Sequence, residues 1–151
     1  MRGVEANVHN QLLRQPPEFA LTCPYCGALA KLVSGGVIYT KSESKQFWAC
    51  TFYPGCDAYV GCHPGTTKPL GTLANAALRK ARGACHILFD QTWLCKPQAQ
   101  HHAARAQAYA HLARLLSIPV AKCHFAMFDQ HMCALAQKML TRILTPQGSK
   151  P

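Results

Sequence analysis

The spacing of apolar positions changes character near residue 65. Before it, short apolar runs are interrupted by turn residues. After it, apolar side chains recur at threes and fours. In the first stretch Ala28 to Val33 and Val37 to Thr40 read as short strands joined by a Ser34-Gly35-Gly36 turn, and Phe47 to Thr51 and Ala58 to Gly61 read as two more. In the second stretch a helix is predicted from about Leu73 to Leu94. Leu73, Ala77, Ala81, Ala84 and Leu88 lie along one face, and Asn75, Arg79, Arg82, His86 and Asp90 along another. Lys96-Pro97 ends it, because proline cannot continue the hydrogen-bond ladder. A second helix runs from about Gln98 to Leu116, with Ala108, Leu112 and Leu115 inward beside Tyr109 and Leu116, and Ser117-Ile118-Pro119 breaks it. A third opens on Asp129, whose short acceptor side chain suits an N-cap. Phe128 and Cys133 flank that start as an apolar staple, and Met132, Ala136, Met139 and Ile143 form the inner stripe.

This pattern divides the chain into a tail (1–20), a strand-rich module (21–64), a helical domain (65–145) and a second tail (146–151). In the first tail Val8, Leu12 and Leu13 make at most one helical turn before Gln15-Pro16-Pro17. The strand-rich module is too small to bury enough surface to hold itself together. It carries its own remedy: Cys23 and Cys26 before the first strand, Cys50 near the end of the third and Cys56 just after it. A two-residue gap lets one tight turn aim two sulfurs at one ion, with Gly27 suited to the left-handed position that closes the knuckle. Pro54-Gly55 is a turn signal before Cys56. Four thiolates make a closed tetrahedral set with no position left for water, which is the structural kind of zinc site. One structural Zn2+ is therefore expected, and the fold expected is α+β, a small four-cysteine zinc ribbon on a three-helix bundle. Cys62 and His63 follow closely enough to compete for the fourth position.

Composition adds charge. Half the residues are apolar and 15% charged, so the chain is not of the disordered class. Sixteen Lys/Arg against six Asp/Glu leave a formal charge of +10, which attracts polyanions: nucleic acid first, an acidic protein surface second. No apolar run approaches the roughly 20 residues of a spanning helix, so no membrane partner is expected. Nine cysteines, an odd number, and an N-terminus without the apolar core of a signal peptide point to a reducing cytoplasm.

Binding candidates gather around the ribbon. Tyr25, Tyr39, Phe47, Trp48, Phe52, Tyr53 and Tyr59 alternate with Lys31, Lys41 and Lys45. Unpaired bases stack on exposed rings while lysines hold the backbone. Most of these rings serve as packing on the knuckle and helices in the plainest reading, and Trp48 and Tyr53 are the best placed for exposure. Lys68 lies in the loop Gly65-Thr66-Thr67-Lys68 before a helix N-terminus, where free N–H groups can hold an anion. On the polar stripe Arg79 and Arg82 are one turn apart and can clamp a phosphate or carboxylate. His86 and Asp90 at i and i+4 can hydrogen-bond, which is the geometry of an oriented base or of a solvated face. Cys62, His63, Cys85, His86, Cys123, His124 and Cys133 supply material for a second metal site, though no local spacing forces them together.

Residues 23–56 resemble the four-cysteine zinc ribbons at the C-terminal end of type IA DNA topoisomerases, through Cys23-Pro24-x-Cys26-Gly27, the aromatic residues before Cys50, and Tyr53-Pro54-x-Cys56. Residues 21–137 resemble a zinc-finger-containing family of phages, prophages and bacteria, through Tyr59-Val60-Gly61-Cys62-His63, Pro69 to Ala74, Ala84-x-His86-x-x-Phe89-Asp90 and Cys123-His124-x-x-Met127-Phe128-Asp129. The first resemblance implies single-stranded DNA binding by the ribbon. The second names no activity, and its phage setting makes host cytoplasm the expected location. The leading expectation is nucleic-acid binding through Lys31, Lys41, Lys45, Trp48, Tyr53, Lys68, Arg79, Arg82 and His86, with single-stranded DNA favoured. One alternative is a host-takeover or anti-defence protein that inhibits a host complex. Another is a metal-assisted nuclease using His63, His86 and Asp90, for which six acidic residues leave little Mg2+-binding material. No catalytic residue is assigned.

Overall fold

The computed structural model describes residues 20–39, 41 and 44–146. All of the expected first tail but Ala20, its helical turn included, and all of the second tail but Pro146 lie outside the described residues. The rest is α+β. Strands β1 (Ala30–Ser34), β2 (Gln46–Cys50) and β3 (Tyr59–Gly61) form one antiparallel sheet in the order β1-β2-β3. Leu32 faces Trp48 and Trp48 faces Val60 in the register. The stretch expected as a strand over Val37 to Thr40 is instead a single helical turn, α1 (Gly35–Ile38), and Thr40 lies outside the described residues. Closure explains the difference. The Gly35 N–H donates to the Lys45 carbonyl, and the Tyr39 N–H donates back to the Gly35 carbonyl, so the connection curls on itself.

Three longer helices follow: α2 (Ala76–Gln91), α3 (His101–Leu116) and α4 (Gln130–Leu144). Short 3-10 turns precede α3 and α4. Asp129 caps α4 as expected, its carboxylate accepting from the Met132 N–H at 2.8 Å, and Phe128 and Cys133 are both buried beside it. α2 starts later than expected, because Asn75 is its N-cap and accepts from the Leu78 N–H at 3.0 Å. Helix α4 packs along α2, and α3 packs on α4. Leu115 and Ile143, both expected inside, are exposed; Ala113 and Leu140 take the buried positions.

Two apolar cores lie side by side. Cys23, Ala30, Trp48, Cys50, Ala58, Val60 and Leu73 form the ribbon core. Leu78, Cys85, Phe89, Leu112, Phe125, Cys133 and Leu140 anchor the helical core. The boundary runs through consecutive residues: Leu73 enters the first core and Ala74 the second. Ala74 bridges Tyr59 in extended backbone, where neighbouring side chains point to opposite sides. Gly71 allows a further close approach, since a Cβ there would lie 2.0 Å from the Ala126 carbonyl oxygen.

The inner face of α2 corrects the sequence reading. Leu78, Arg82, Cys85 and Phe89 are buried, whereas the alanine-rich face is only partly covered or exposed. Arg82, expected on a binding surface, is 7% exposed. Its Nε donates to the Phe128 carbonyl at 3.0 Å, Nη1 to the Thr72 carbonyl at 2.9 Å, and Nη2 to Thr72 Oγ1 at 2.7 Å. The guanidinium thus ties together two loops remote in sequence. Arg82→Ala is expected to cost about 3 kcal/mol, because several buried acceptors lose a charged donor. Arg82→Lys recovers only part of this, since an ammonium cannot reproduce the fork. Urea unfolding of zinc-saturated protein measures both; a loss under about 0.5 kcal/mol for Arg82→Ala would show that the buried fork contributes little.

Candidate metal centre and the adjoining sheet face

Two loops deliver the four cysteines. In the first, the Cys23 N–H donates to Ala28 and the Gly27 N–H returns to the Cys23 carbonyl, with Gly27 at φ +76°, the left-handed position expected of it. In the second, Cys50 ends β2, the Tyr53 N–H donates to its carbonyl, and the Cys56 N–H donates to Phe52. The Sγ atoms of Cys23, Cys26, Cys50 and Cys56 all lie within 4.8 Å of one another. Cys23 and Cys56 are 3.6 Å apart, Cys26 and Cys50 3.4 Å. A regular tetrahedron with metal–sulfur bonds of about 2.3 Å has edges of about 3.8 Å. The sulfurs therefore stand close to that tetrahedron, and an all-sulfur closed donor set fits one structural zinc ion.

The chain belongs to the zinc-finger-containing family. The family matched, described as a zinc-finger-containing domain, covers residues 19–143, well over half of the protein. No curated protein and no solved structure matches the chain. Among the described residues no second group of His, Cys, Asp or Glu converges as these four cysteines do. Cys62 stands outside it at the end of β3, bridging Pro69. Cys85 and Cys133 meet between α2 and α4 as fully buried thiols. His63, His86 and Asp90 do not come together as a metal-binding group.

Electrostatics explain the need for a cation. Burial pushes the Cys50 thiol up to about 12, only partly opposed by the Phe52 N–H. At Cys23 burial also acts upward, but hydrogen bonds from the Tyr25 and Cys26 backbone and from the Cys56 and Cys26 thiols together bring the pKa below its ordinary value. Four sulfurs this close together, those of Cys23 and Cys50 buried, remain thiolates only when an ion offsets their charge, and zinc binding then releases protons.

The centre is wired to α2 through a residue that the sequence reading passed over. Asp57 follows Cys56 directly. Its Oδ2 accepts from the Ala76 N–H at 2.9 Å and from Arg79 Nη2 at 3.1 Å, while Arg79 Nη1 donates to the Asp57 carbonyl at 2.7 Å. Next to it the Asn75 N–H donates to the Tyr25 hydroxyl at 3.1 Å. Both knuckles thus hold the N-terminus of α2, where an anionic side chain is favoured by the unpaired N–H groups. Cys-Asp ahead of an Asn-capped helix is the trace this leaves in the sequence, and it depends on contacts about twenty residues apart.

The expected binding residues separate. Lys31, Lys41, Lys45 and Lys68 are exposed. Trp48, expected outside, is core: it is 5% exposed and its indole N–H donates to the Thr67 carbonyl at 2.7 Å. The polar stripe of α2 is divided. Asn75 caps the helix, Arg79 holds Asp57, and Arg82 is buried. Asp90 accepts from the Trp93 indole, and His86 packs its ring edge-on against Phe125 at 4.6 Å. Burial lowers the His86 pKa, with Arg105 acting in the same direction and Asp90 against it.

What does converge is a cluster of rings on one sheet face. Phe47, Tyr59, Ala49 and Lys31 share that face by register. Tyr39 lies 5.8 Å from Phe47 and 6.2 Å from Tyr59, Phe47 lies 5.7 Å from Tyr59, and Tyr53 lies 6.2 Å from Tyr59, all edge-on. The Tyr39 and Tyr59 hydroxyls hydrogen-bond at 2.7 Å, and the Arg79 guanidinium sits 4.0 Å above the Tyr59 ring.

Purified protein is expected to hold one zinc per chain by elemental analysis. Cobalt substitution should give the visible ligand-field bands of a tetrahedral thiolate site. Apparent zinc affinity in a chelator competition should fall as pH falls, because protons compete for the same sulfurs. Cys56→Ser should weaken affinity by at least tenfold; pH-independent affinity, or an octahedral cobalt spectrum, would contradict the four-thiolate assignment.

Proposed function

We propose that this protein binds single-stranded nucleic acid, with single-stranded DNA the favoured form, across the aromatic face of its sheet. The observation that carries the reading is the contiguous Tyr39–Phe47–Tyr59–Tyr53 cluster, with Lys31 on the same face and Arg79 stacked at its edge. Tyr39 is 49% exposed, so a ring surface is open to a partner. Lys41, Lys45 and Lys68 are exposed elsewhere on the ribbon, and the chain's +10 charge supplies long-range attraction to phosphates. Stacking needs an unpaired base, which favours single strands over duplex. An acidic protein surface answers the same charge but offers no bases for the rings. The zinc acts here by fixing the strands that display the rings, and no step of chemistry is assigned to it.

Anisotropy with a labelled oligothymidylate at low salt is expected to show binding that weakens with salt, log affinity falling by about 0.7 per phosphate neutralised for each unit of log salt. Lys31→Ala should reduce that slope by about 0.7. Tyr39→Ala should weaken binding roughly tenfold, since each stacked base contributes about 1–3 kcal/mol. Absence of binding to both single- and double-stranded probes at low salt would overturn the reading.

A further inference from the structure

The aromatic face ends in a cavity. A cleft of about 620 Å3 opens between the start of β2, the end of β3 and the 62–70 hairpin, within the range of about 300–1,000 Å3 typical of ligand pockets. Phe47 belongs to both features: it stacks against Tyr39 and Tyr59, and it lines the cleft. Leu70 and Gly61 complete the apolar wall, and Lys45, Gln46 and His63 stand at the polar side. Among the described residues none of those three side chains is engaged in a hydrogen bond or ion pair within the protein.

Gly61 makes the cleft. It lies in β3 with ordinary strand backbone, and its carbonyl accepts from the Leu70 N–H at 2.9 Å, so nothing in its conformation calls for glycine. A Cβ there would enter the space between the walls, 3.4 Å from Leu70 Cδ1 and 3.8 Å from Phe47 Cε1. The missing side chain therefore keeps a slot open beside the Phe47 ring.

We infer that this cleft receives one unpaired nucleobase, stacked beside Phe47, with Lys45 and His63 on its phosphate. The inference rests on the single-strand reading and adds to it a definite seat for one base. A flat, weakly polar ring with an anionic group attached is the ligand chemistry that matches one apolar wall and two basic groups.

Gly61→Val tests it without altering charge. Valine suits a strand, and its side chain fills the slot. Zinc content and thermal unfolding should match wild type, while affinity for the oligothymidylate falls roughly tenfold and its salt slope is unchanged. Gly61→Ala, which makes only ordinary contacts, serves as the milder variant and should give an intermediate loss. In a second arm, thymidine monophosphate added to 15N-labelled protein should shift the amides of Phe47, Gly61, Gly65 and Leu70, and inorganic phosphate should not. Undiminished oligonucleotide binding by both variants would overturn the base seat while leaving the single-strand reading intact. Equal shifts with inorganic phosphate would overturn it in favour of a simple anion site. If wild type binds no oligonucleotide and shows no shift with the mononucleotide, both readings fall. Shifts with the mononucleotide and no oligonucleotide binding would overturn both as stated, the cleft then taking a free nucleotide rather than a base of a strand.

Discussion

Four sulfurs held within 4.8 Å of one another by two knuckles make the rest of this structure possible. Three strands of three to five residues do not hold together in water on their own. Their apolar core is small, and one of its largest members, Trp48, needs the 62–70 hairpin to satisfy its indole N–H. The thiolates cannot share so small a volume without a cation, and the cation in turn fixes both knuckles. Folding of the ribbon and binding of zinc are thus one event rather than two.

The constraint passes outward along a short path. Cys56 places Asp57, Asp57 takes the first N–H of α2 and the Arg79 guanidinium, and Tyr25 from the other knuckle takes the N–H of Asn75. The helix so held carries Arg82 and Phe89 into the second core, where Arg82 secures the loops before α2 and α4. Arg79 also lies over Tyr59, so the latch that joins the two cores forms one border of the aromatic face. A metal at one end thereby sets the geometry of a surface that it does not touch.

What local spacing encodes was readable from the sequence. The four cysteines, Gly27 at the knuckle, Asp129 at its cap and the order of strands before helices are all local or nearly so. What was misread depends on partners distant in the chain. Arg82 looks like a surface residue until Thr72 and Phe128 supply its acceptors, and Trp48 looks free until Thr67 does. The alanines of α2 suggest the wrong inner face because an arginine in the buried stripe breaks the apolar pattern. Val37 and Ile38 carry strand-forming side chains, yet loop closure between Gly35 and Lys45 curls them into a turn.

If zinc organises the ribbon and, through it, the start of α2, then amide hydrogen exchange, followed residue by residue with zinc bound and after verified chelation, should register its loss in both places. Protection at Trp48, Cys50 and Ala76 is expected to collapse when the metal leaves, while Ala136 and Leu140 inside α4 keep most of theirs. Unchanged protection at Trp48 and Ala76 in metal-free protein would contradict it.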